Sequence, residues 1–311
     1  MKVGVIGAGA VGRACVFAMA QRGSCREIVL VNRTRKTAAG VATDLSYGRP
    51  LSAPVDVSDG DYEDLRGAEL VMITSGVNEK SGGATEREDS RGRLKLLDDN
   101  VKVYREIIPR IVEAAPDATL LVVTDPPDPL TDITRQLAGH ERVFSTGTVI
   151  DSQRLRVHIG RRLGVAASSV EATVIGEHGK SSVTLWSSAT VAGIPVSELF
   201  EHDDGFASQA QKAIDDEVRN ANITIIEGIG ASQYGIGVVS ARLTEAVLRN
   251  EGLVFPVGSY HEALGVSLSL PAVVGRGGVV RTLPVQLSDE EREGLAHSAE
   301  VLRDALAEVR S

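Results

Sequence analysis

The first 150 residues alternate short apolar runs, rich in β-branched residues, with longer amphipathic stretches. The apolar runs predict four strands: 2–6, 27–32, 69–74 and 119–124. The amphipathic stretches predict three helices: 12–22, 34–45 and 99–114. This alternation is typical of a parallel sheet with helices on both faces, whose buried strands need no polar positions.

The pattern changes after about residue 145. Four helices are predicted: 151–163, 209–228, 231–249 and 289–310. Strand-like pieces lie at 170–175, 182–186 and 251–256. Ser288 and Glu291 have the spacing of a capping box at the start of the last helix. The mixture predicts an α+β domain, although no linker rich in proline, glycine or serine marks its boundary.

A glycine-rich turn, G-x-G-x-x-G, follows the first predicted strand and opens the first predicted helix. In such a turn Gly7 reverses the chain, Gly9 lets a pyrophosphate approach the backbone, and Gly12 lets the helix pack closely on the strand. The amide groups at the helix N-terminus, near Ala10 and Val11, would hold the pyrophosphate. The turn therefore predicts a dinucleotide site in the first half of the chain.

The 311 residues suit two domains. We predict an α/β fold with a Rossmann doubly wound parallel sheet at 1–145 and an α+β catalytic domain at 146–311. The net charge of −9 disfavours nucleic acid and anionic membranes as partners. The chain shows neither a membrane-length apolar run nor a signal peptide at its start. Cys15 and Cys25 give neither a disulfide framework nor a zinc cluster, so we expect a cytoplasmic protein without a bound metal.

The second predicted strand ends at Asn32, where dinucleotide-binding domains usually place an acidic residue on the adenosine ribose. Asn32 carries no charge to repel a 2′-phosphate, and Arg33 and Arg35 follow it. Arginines pair well with phosphate oxygens. The sequence therefore favours NADP(H) over NAD(H), with a solvated helix start as the alternative explanation for these cations.

A histidine between glycines follows a predicted strand, in the stretch Gly-Glu-His178-Gly. Such a backbone suits a proton-transfer group. Asp151, earlier in the chain, can orient the ring of His178 and stabilise its protonated form. Arg154 lies one helical turn beyond Asp151 and can present a bidentate fork to a substrate carboxylate.

These motifs and several others resemble the lactate/malate dehydrogenase family. The matching stretches span nearly the whole chain in the order of the family: GAGAVG at 7–12, ITSG at 73–76, RLKLLDDN at 93–100, LLVVTDPPD at 120–128, TGTVIDSQRLR at 146–156, GEHGKSSV at 176–183, SQYGIG at 232–237 and FPV at 255–257. The resemblance implies an oxidoreductase that transfers a hydride between NAD(P) and a small 2-hydroxy or 2-oxo acid. It also implies a homodimer or homotetramer.

The resemblance implies a role for each matching residue. His178 would exchange a proton with the substrate oxygen, and Asp151 would orient His178 and raise its pKa. Arg154 would clamp the substrate carboxylate, and Arg93 would polarise the carbonyl from a mobile loop. Ser232 would lie near the nicotinamide and the substrate. Further cofactor contacts are implied for four residues: Ser75, Gly76, Asn100 and Asp125.

Besides Asn32, three features depart from the pattern of the family. Asp125 replaces an asparagine that donates hydrogen bonds, and Lys180 stands where many relatives have aspartate. An ionised Asp125 would repel a substrate carboxylate unless it is protonated or paired with a cation. The charged, glycine-bearing loop at 79–92 is longer than usual, and hydrophilic loops of this length often gate an active site.

The longer loop leaves the substrate-selecting position open. Counting back from Arg93 gives Arg87, which would bind a second carboxylate, as in malate. Counting forward from Gly76 gives Glu79, which would disfavour dicarboxylates. Arg91 also competes with Arg93 for the role at the carbonyl. With three arginines in the loop, we expect a substrate with an anionic second group.

Two other functions stay open at this point. The chain could reduce a modified 2-oxo acid in a specialised pathway, which Asp125 and the long loop favour. It could also be a catalytically weak nucleotide-binding homologue, but a protein without activity has no physical need to retain all four residues of the predicted machinery: His178, Asp151, Arg154 and Arg93. A panel of 2-oxo acids tested with both cofactors separates the three functions.

Overall fold

Six parallel strands from the first half of the chain form the centre of the structure. The computed structural model describes residues 1–79, 82, 85–89, 91–201 and 207–310. The six strands are β1 (Lys2–Ile6), β2 (Glu27–Val31), β3 (Asp56–Gly60), β4 (Leu70–Ile73), β5 (Thr119–Val122) and β6 (Val143–Ser145). Their order is β3-β2-β1-β4-β5-β6, and every adjacent pair is parallel. This is the doubly wound order of a Rossmann domain, so the predicted fold class is confirmed.

Helices cover both faces of this sheet. The first half contributes α1 (Ala10–Arg22), α2 (Arg35–Gly48), α3 (Leu97–Ala114) and α4 (Pro127–Ala138). Neighbouring residues of β1 belong to two different hydrophobic cores. Val5 lies in the core that contains Met19 of α1, whereas Ile6 lies in the core that contains Ile108 of α3. Successive side chains of a strand point to opposite faces, so an apolar strand such as β1 is buried on both sides.

The second half of the chain surrounds one end of the sheet. Its helices are α5 (Val149–Leu163), α6 (Val196–Glu201), α7 (Ala207–Ile229), α8 (Tyr234–Leu248) and α9 (Asp289–Arg310). Its short strands are β7 (Val170–Glu171), β8 (Val174–Ile175), β9 (Val183–Thr184), β10 (Thr190–Val191) and β11 (Ile194–Pro195). The capping box of α9 is confirmed, because Ser288 and Glu291 exchange side-chain to backbone hydrogen bonds. The predicted strand at 170–175 is divided into β7 and β8.

Three long antiparallel strands from the second half extend the sheet of the first half. They are β12 (Leu253–His261), β13 (Val266–Gly275) and β14 (Gly278–Thr282). Gly258 of β12 pairs with Ser145 of β6, which gives a continuous nine-stranded sheet. The sequence predicted only part of β12 here. In the part of the chain that the structure describes, no helix is long and apolar enough to cross a membrane.

Candidate active site

A small cavity lies where the order of the parallel strands reverses, between β1 and β4. Open α/β sheets bind ligands at this kind of position, beyond the carboxyl ends of their strands. The cavity has a volume of about 100 Å³. The chemistry-bearing residues in its wall come from both halves of the chain: Glu79, Arg93, Asp125, Arg154, His178 and Ser232.

The glycine turn leaves a cradle of backbone beside this cavity. Gly7 has a φ of +111°, a left-handed value that favours glycine. A Cβ atom at Gly12 would lie 2.0 Å from the Gly7 carbonyl oxygen, whereas a Cβ at Gly9 would meet no described atom within 4 Å. Among the described residues, no side chain caps the N-terminus of α1. Gly9, Ala10 and Val11 therefore present unobstructed backbone at a helix N-terminus, which fits a dinucleotide pyrophosphate.

The side-chain amide of Asn32 connects the glycine turn to the start of α2 by two hydrogen bonds. Its Oδ1 accepts a hydrogen bond from the Ala8 amide at 3.0 Å, and its Nδ2 donates to the Thr34 carbonyl at 3.1 Å. Arg33, next along the chain, is exposed. Arg35 is the first residue of α2, and its side chain contacts the end of β3, with Nε 2.8 Å from Asp59 and Nη1 2.6 Å from Asp61.

The two cations predicted to meet a 2′-phosphate therefore differ in their surroundings. Arg33 extends into solvent, while two carboxylates already neutralise the charge of Arg35.

His178, Asp151 and Arg154 form one buried chain of polar contacts. His178 Nδ1 hydrogen-bonds Asp151 Oδ2, and Arg154 Nη1 donates to Asp151 Oδ1 at 3.0 Å. Burial alone would raise the pKa of Asp151, but the charge of His178, its hydrogen bond and the charge of Arg154 hold that pKa well below its usual range. Asp151 is therefore ionised at neutral pH. It fixes the ring so that Nε2 of His178 is the nitrogen left for the cavity.

The backbone around His178 is held by a residue that sequence reasoning missed. The Asp128 side chain is fully buried, and its Oδ2 accepts a hydrogen bond from the His178 amide at 2.7 Å. Burial, followed by the nearby carboxylates, raises the pKa of Asp128, and the His178 amide opposes that rise. Its only sequence signal was a place at the end of the LLVVTDPPD stretch.

Arg93 lies between two carboxylates. Its Nε donates to Asp125 Oδ2 at 3.1 Å and lies 3.5 Å from Glu79 Oε1. Burial alone would lower the pKa of Arg93, but Asp125 and Glu79 raise it. Burial, followed by the charge of Asp125, raises the pKa of Glu79. The cation that Asp125 was expected to need is therefore Arg93.

Glu79 is itself fixed in place, because Asn222 of α7 donates a hydrogen bond to Oε1 at 3.0 Å. Asn222 is 4% exposed, and sequence reasoning missed it. Across the cavity, Asp125 Oδ1 lies 3.7 Å from His178 Nε2. Arg93, Asp125 and His178 thus surround the space in which a substrate carbonyl would be polarised.

The other arginines of the long loop lie elsewhere. Arg87 Nη2 contacts Thr224 at 3.0 Å and Glu227 at 3.3 Å on α7, and Arg91 Nη2 contacts Glu308 at 2.9 Å on α9. Neither lines the cavity. The interpretation that Arg87 meets a second substrate carboxylate therefore has no support from its position. Some residues of the predicted loop lie outside the described residues: Lys80, Ser81, Gly83, Ala84 and Ser90.

Lys180 also turns to the loop rather than to the cavity. Its Nζ donates to the Arg87 carbonyl at 2.7 Å and to Asn220 Oδ1 at 2.9 Å. Burial, followed by repulsion from Arg93, lowers the pKa of Lys180. Lys180 therefore fastens the loop to α7.

The remaining predicted cofactor contacts lie at the ends of β4 and β5. Asn100 is fully buried, accepts a hydrogen bond from the Val77 amide at 2.6 Å and donates to the Asp125 carbonyl at 2.6 Å. The Ser75 carbonyl accepts a hydrogen bond from Thr124 at 2.9 Å, and Gly76 lines the cavity. Asn100 thus joins the loop after β4 to the loop that carries Asp125.

Family models match both halves of the chain. Residues 1–145 match the NAD binding domain of lactate/malate dehydrogenases, and residues 148–311 match the alpha/beta C-terminal domain of lactate/malate dehydrogenases. An L-lactate dehydrogenase of Chloroherpeton thalassium is 44% identical over 312 residues, which cover 99% of this chain and 100% of that protein. An L-lactate dehydrogenase of Deinococcus radiodurans is 44% identical over 304 residues, which cover 97% of each chain.

Solved structures agree with the sequence comparison. A lactate dehydrogenase from a Medee basin deep-sea metagenome library superposes with a TM-score of 0.91 at 31% identity, covering 100% of this chain and 99% of that one. The minor L-lactate dehydrogenase of Enterococcus mundtii also superposes with a TM-score of 0.91, at 33% identity, covering 99% of this chain and 98% of that one. The similarity therefore extends over the whole chain.

Proposed function

Since the chain belongs to the lactate/malate dehydrogenase family, we propose that the cavity around His178 is its catalytic centre. The protein is an oxidoreductase that transfers a hydride between a nicotinamide cofactor and a 2-hydroxy or 2-oxo carboxylic acid. We assign cofactor binding to residues 1–145, and the catalytic histidine, its aspartate and the carboxylate clamp to residues 146–311. The buried contact between His178 and Asp151, with Arg154 on the same carboxylate, is the observation that carries the proposal.

Each residue of the catalytic centre has a separate role in the reaction. Bound nicotinamide would supply the hydride acceptor or donor. In the oxidation of a 2-hydroxy acid, His178 Nε2 takes the hydroxyl proton while the C2 hydrogen leaves with its bonding electrons. Asp151 stabilises the resulting imidazolium. Arg154 binds the C1 carboxylate as a fork, and Arg93 stabilises the charge that develops on the C2 oxygen.

The cavity favours short substrates with one carboxylate. Its volume of about 100 Å³ suits a small 2-hydroxy acid. Glu79 and Asp125 face this space, and both would repel a second carboxylate. The sequence favoured an anionic second group on account of the loop arginines, but Arg87 and Arg91 contact α7 and α9 and so do not offer a second carboxylate a partner in the cavity.

We propose NAD(H) as the principal cofactor. The sequence favoured NADP(H) because of Asn32, Arg33 and Arg35. Asp59 and Asp61 neutralise Arg35 and add negative charge beside the place of a 2′-phosphate, which leaves Arg33 as its remaining partner. Titration of the protein with NADH and NADPH distinguishes the two, and tighter binding of NADPH would reverse the assignment.

We also propose a homodimer or homotetramer in the cytoplasm. Apolar side chains on α1 and α8 are exposed in the single chain: Phe17 by 53%, Tyr234 by 68% and Val238 by 52%. Large exposed apolar side chains suit an interface between subunits. Cys15 and Cys25 are free and buried, as suits a reducing compartment. Light scattering that gives a monomer mass at micromolar concentration would contradict the oligomer.

The test of the catalytic centre uses steady-state rates. The wild type should oxidise L-lactate and L-2-hydroxybutanoate with NAD⁺ faster than L-malate. His178→Asn should lower kcat by about 10²- to 10⁴-fold, the usual share of general acid–base catalysis. NADH binding, followed by fluorescence, should stay the same. The control is His297→Asn, which changes an exposed histidine on α9 and should keep full activity.

Binding of NADH without turnover of any 2-hydroxy acid would instead identify a nucleotide-binding homologue without catalytic activity. Unchanged turnover in His178→Asn would remove His178 from the mechanism.

A further inference from the structure

Carboxylates outnumber guanidinium groups around the substrate cavity. Among the described residues, two guanidinium groups, those of Arg93 and Arg154, pair with the three carboxylates of Glu79, Asp125 and Asp151. Arg154 and His178 share Asp151, while Arg93 contacts both Glu79 and Asp125. His178 Nε2 also lies 3.7 Å from Asp125 Oδ1, but the ring must be neutral when it accepts the hydroxyl proton and then adds no positive charge. In the described part of the site, the side of the cavity around Arg93 therefore carries one carboxylate more than it has guanidinium groups.

Contacts within the fold hold the carboxylates of Glu79 and Asp125 beside the cavity. The Glu79 side chain is 13% exposed, and its contacts with Arg93 and Asn222 hold it in the cavity wall. Asp125 lies three residues beyond the end of β5, and Asn100 donates a hydrogen bond to its carbonyl oxygen at 2.6 Å. Placing a carboxylate in such a site is costly unless a cation pairs with it.

Two other cations that the structure describes near the cavity, Lys180 and Arg87, are engaged elsewhere. Lys180 donates its Nζ to the Arg87 carbonyl and to Asn220. The Arg87 guanidinium lies on Thr224 and Glu227, outside the cavity wall. A substrate carboxylate bound at Arg154 would make the balance more negative by one charge.

We propose, on the basis of the dehydrogenase function assigned above, that the preferred substrate is a short 2-hydroxy or 2-oxo monocarboxylate whose C3 side chain carries an ammonium group, held by Glu79 and Asp125. The ammonium supplies the missing positive charge and donates hydrogen bonds to both carboxylates. It takes no part in bond making, so the hydride and proton steps stay as described. A neutral side chain would leave Glu79 and Asp125 to share Arg93, and an anionic side chain would add to the repulsion.

The test compares substrates that differ in one group. Isoserine (3-amino-2-hydroxypropanoate) carries an ammonium where 2-hydroxybutanoate carries a methyl group, and malate carries a carboxylate. The L enantiomers are oxidised with NAD⁺ near neutral pH, where an alkylamine is protonated. The wild-type kcat/KM for isoserine should exceed that for 2-hydroxybutanoate by at least about tenfold, as expected for a charge-assisted contact.

Substitution of Glu79 in the cavity wall tests whether its carboxylate causes the preference for isoserine. Glu79→Gln keeps the shape and the contact with Asn222 but removes the charge, and it should lower the isoserine to 2-hydroxybutanoate ratio by about 10- to 100-fold, mainly through the KM for isoserine. The control is Glu227→Gln, which changes an exposed carboxylate outside the cavity wall and should leave the ratio unchanged. Circular dichroism and NADH binding confirm that both variants are folded.

The outcomes separate this proposal from the function on which it rests. If the wild type oxidises L-lactate and L-2-hydroxybutanoate but shows no preference for isoserine, the ammonium substrate is wrong and the dehydrogenase assignment stands. If no 2-hydroxy acid is oxidised, the dehydrogenase assignment fails and this proposal fails with it. A preference for isoserine that survives in Glu79→Gln would overturn the role of Glu79. The wild-type ratio decides the substrate class even if a variant fails to fold.

Discussion

Two glycines of the same turn should respond in opposite ways to the addition of one methyl group. At Gly12, inside α1, the new Cβ would lie 2.0 Å from the Gly7 carbonyl oxygen and 2.8 Å from Thr74 Oγ1. Because the first of these atoms is backbone, no side-chain rotation relieves the contact, and α1 must move away from β1 by more than an ångström. At Gly9 the new Cβ would meet no described atom within 4 Å, and its φ of −71° suits alanine.

The magnitudes follow from these distances. Overpacking of this kind costs about 1–3 kcal/mol, and the better helix propensity of alanine offsets up to about 1 kcal/mol. Gly12→Ala should therefore lower the free energy of unfolding by about 1–2 kcal/mol and weaken NADH binding as well. Gly9→Ala should change the free energy of unfolding by less than about 0.5 kcal/mol. It should nevertheless weaken NADH binding at least tenfold (about 1.4 kcal/mol), because the methyl group occupies the space left for the pyrophosphate.

The assay combines urea denaturation with fluorescence titration by NADH. Gly40→Ala is the matched control, because Gly40 lies in α2 with open space around its Cβ position and away from the glycine turn. That variant should be as stable as the wild type or more stable, with unchanged NADH affinity. The reasoning is refuted if Gly9→Ala binds NADH as tightly as the wild type, or if it loses as much stability as Gly12→Ala.

Two further predictions concern the substrate clamp and the thiols. Arg154→Lys replaces a planar fork by a point charge, so the KM for the 2-hydroxy acid should rise at least tenfold (about 1.4 kcal/mol) while NADH affinity stays the same; an unchanged KM would mean that the carboxylate binds elsewhere. Burial raises the pKa of Cys15 and of Cys25 to about 12, so both thiols should react slowly with a thiol reagent in the folded protein and quickly in denaturant. Rapid labelling of the native protein would contradict this burial.

Elements with a continuous apolar run could be predicted from the sequence, and weakly patterned ones could not. β1 and β5 are nearly all aliphatic, and both were predicted close to their observed bounds. β3 reads DVSDG and has a single apolar aliphatic residue, Val57, because it is an edge strand with one neighbour. β13 has a short alternation, VSLSL, that turns into an apolar run at Pro271. Its place in the sheet depends on β12 and β14, which are pairings that local sequence does not encode.

The candidate active site, too, could be predicted only in part from the sequence. The resemblance to the dehydrogenase family implied that Asp151 orients His178, and the structure places the two side chains in contact. The choice between Arg87 and Glu79 as the residue facing the substrate could not be made by counting, because the loop has extra residues. The contact between Glu79 and Asn222 places Glu79 in the cavity, and Asn222 lies 143 residues further along the chain.

The shared sheet has a consequence for how this chain reaches its folded state. The strand β6 is complete by residue 145, but its outer edge is covered by β12, which begins at Leu253. A nascent chain that folds its Rossmann half first would therefore expose an unpaired strand edge until more than a hundred further residues have been synthesised. Such edges attract strands from other chains and promote aggregation. Residues 1–145 expressed alone should consequently be prone to aggregate. In the folded protein the hairpin of β12 and β13 covers that edge and blocks its pairing with other chains.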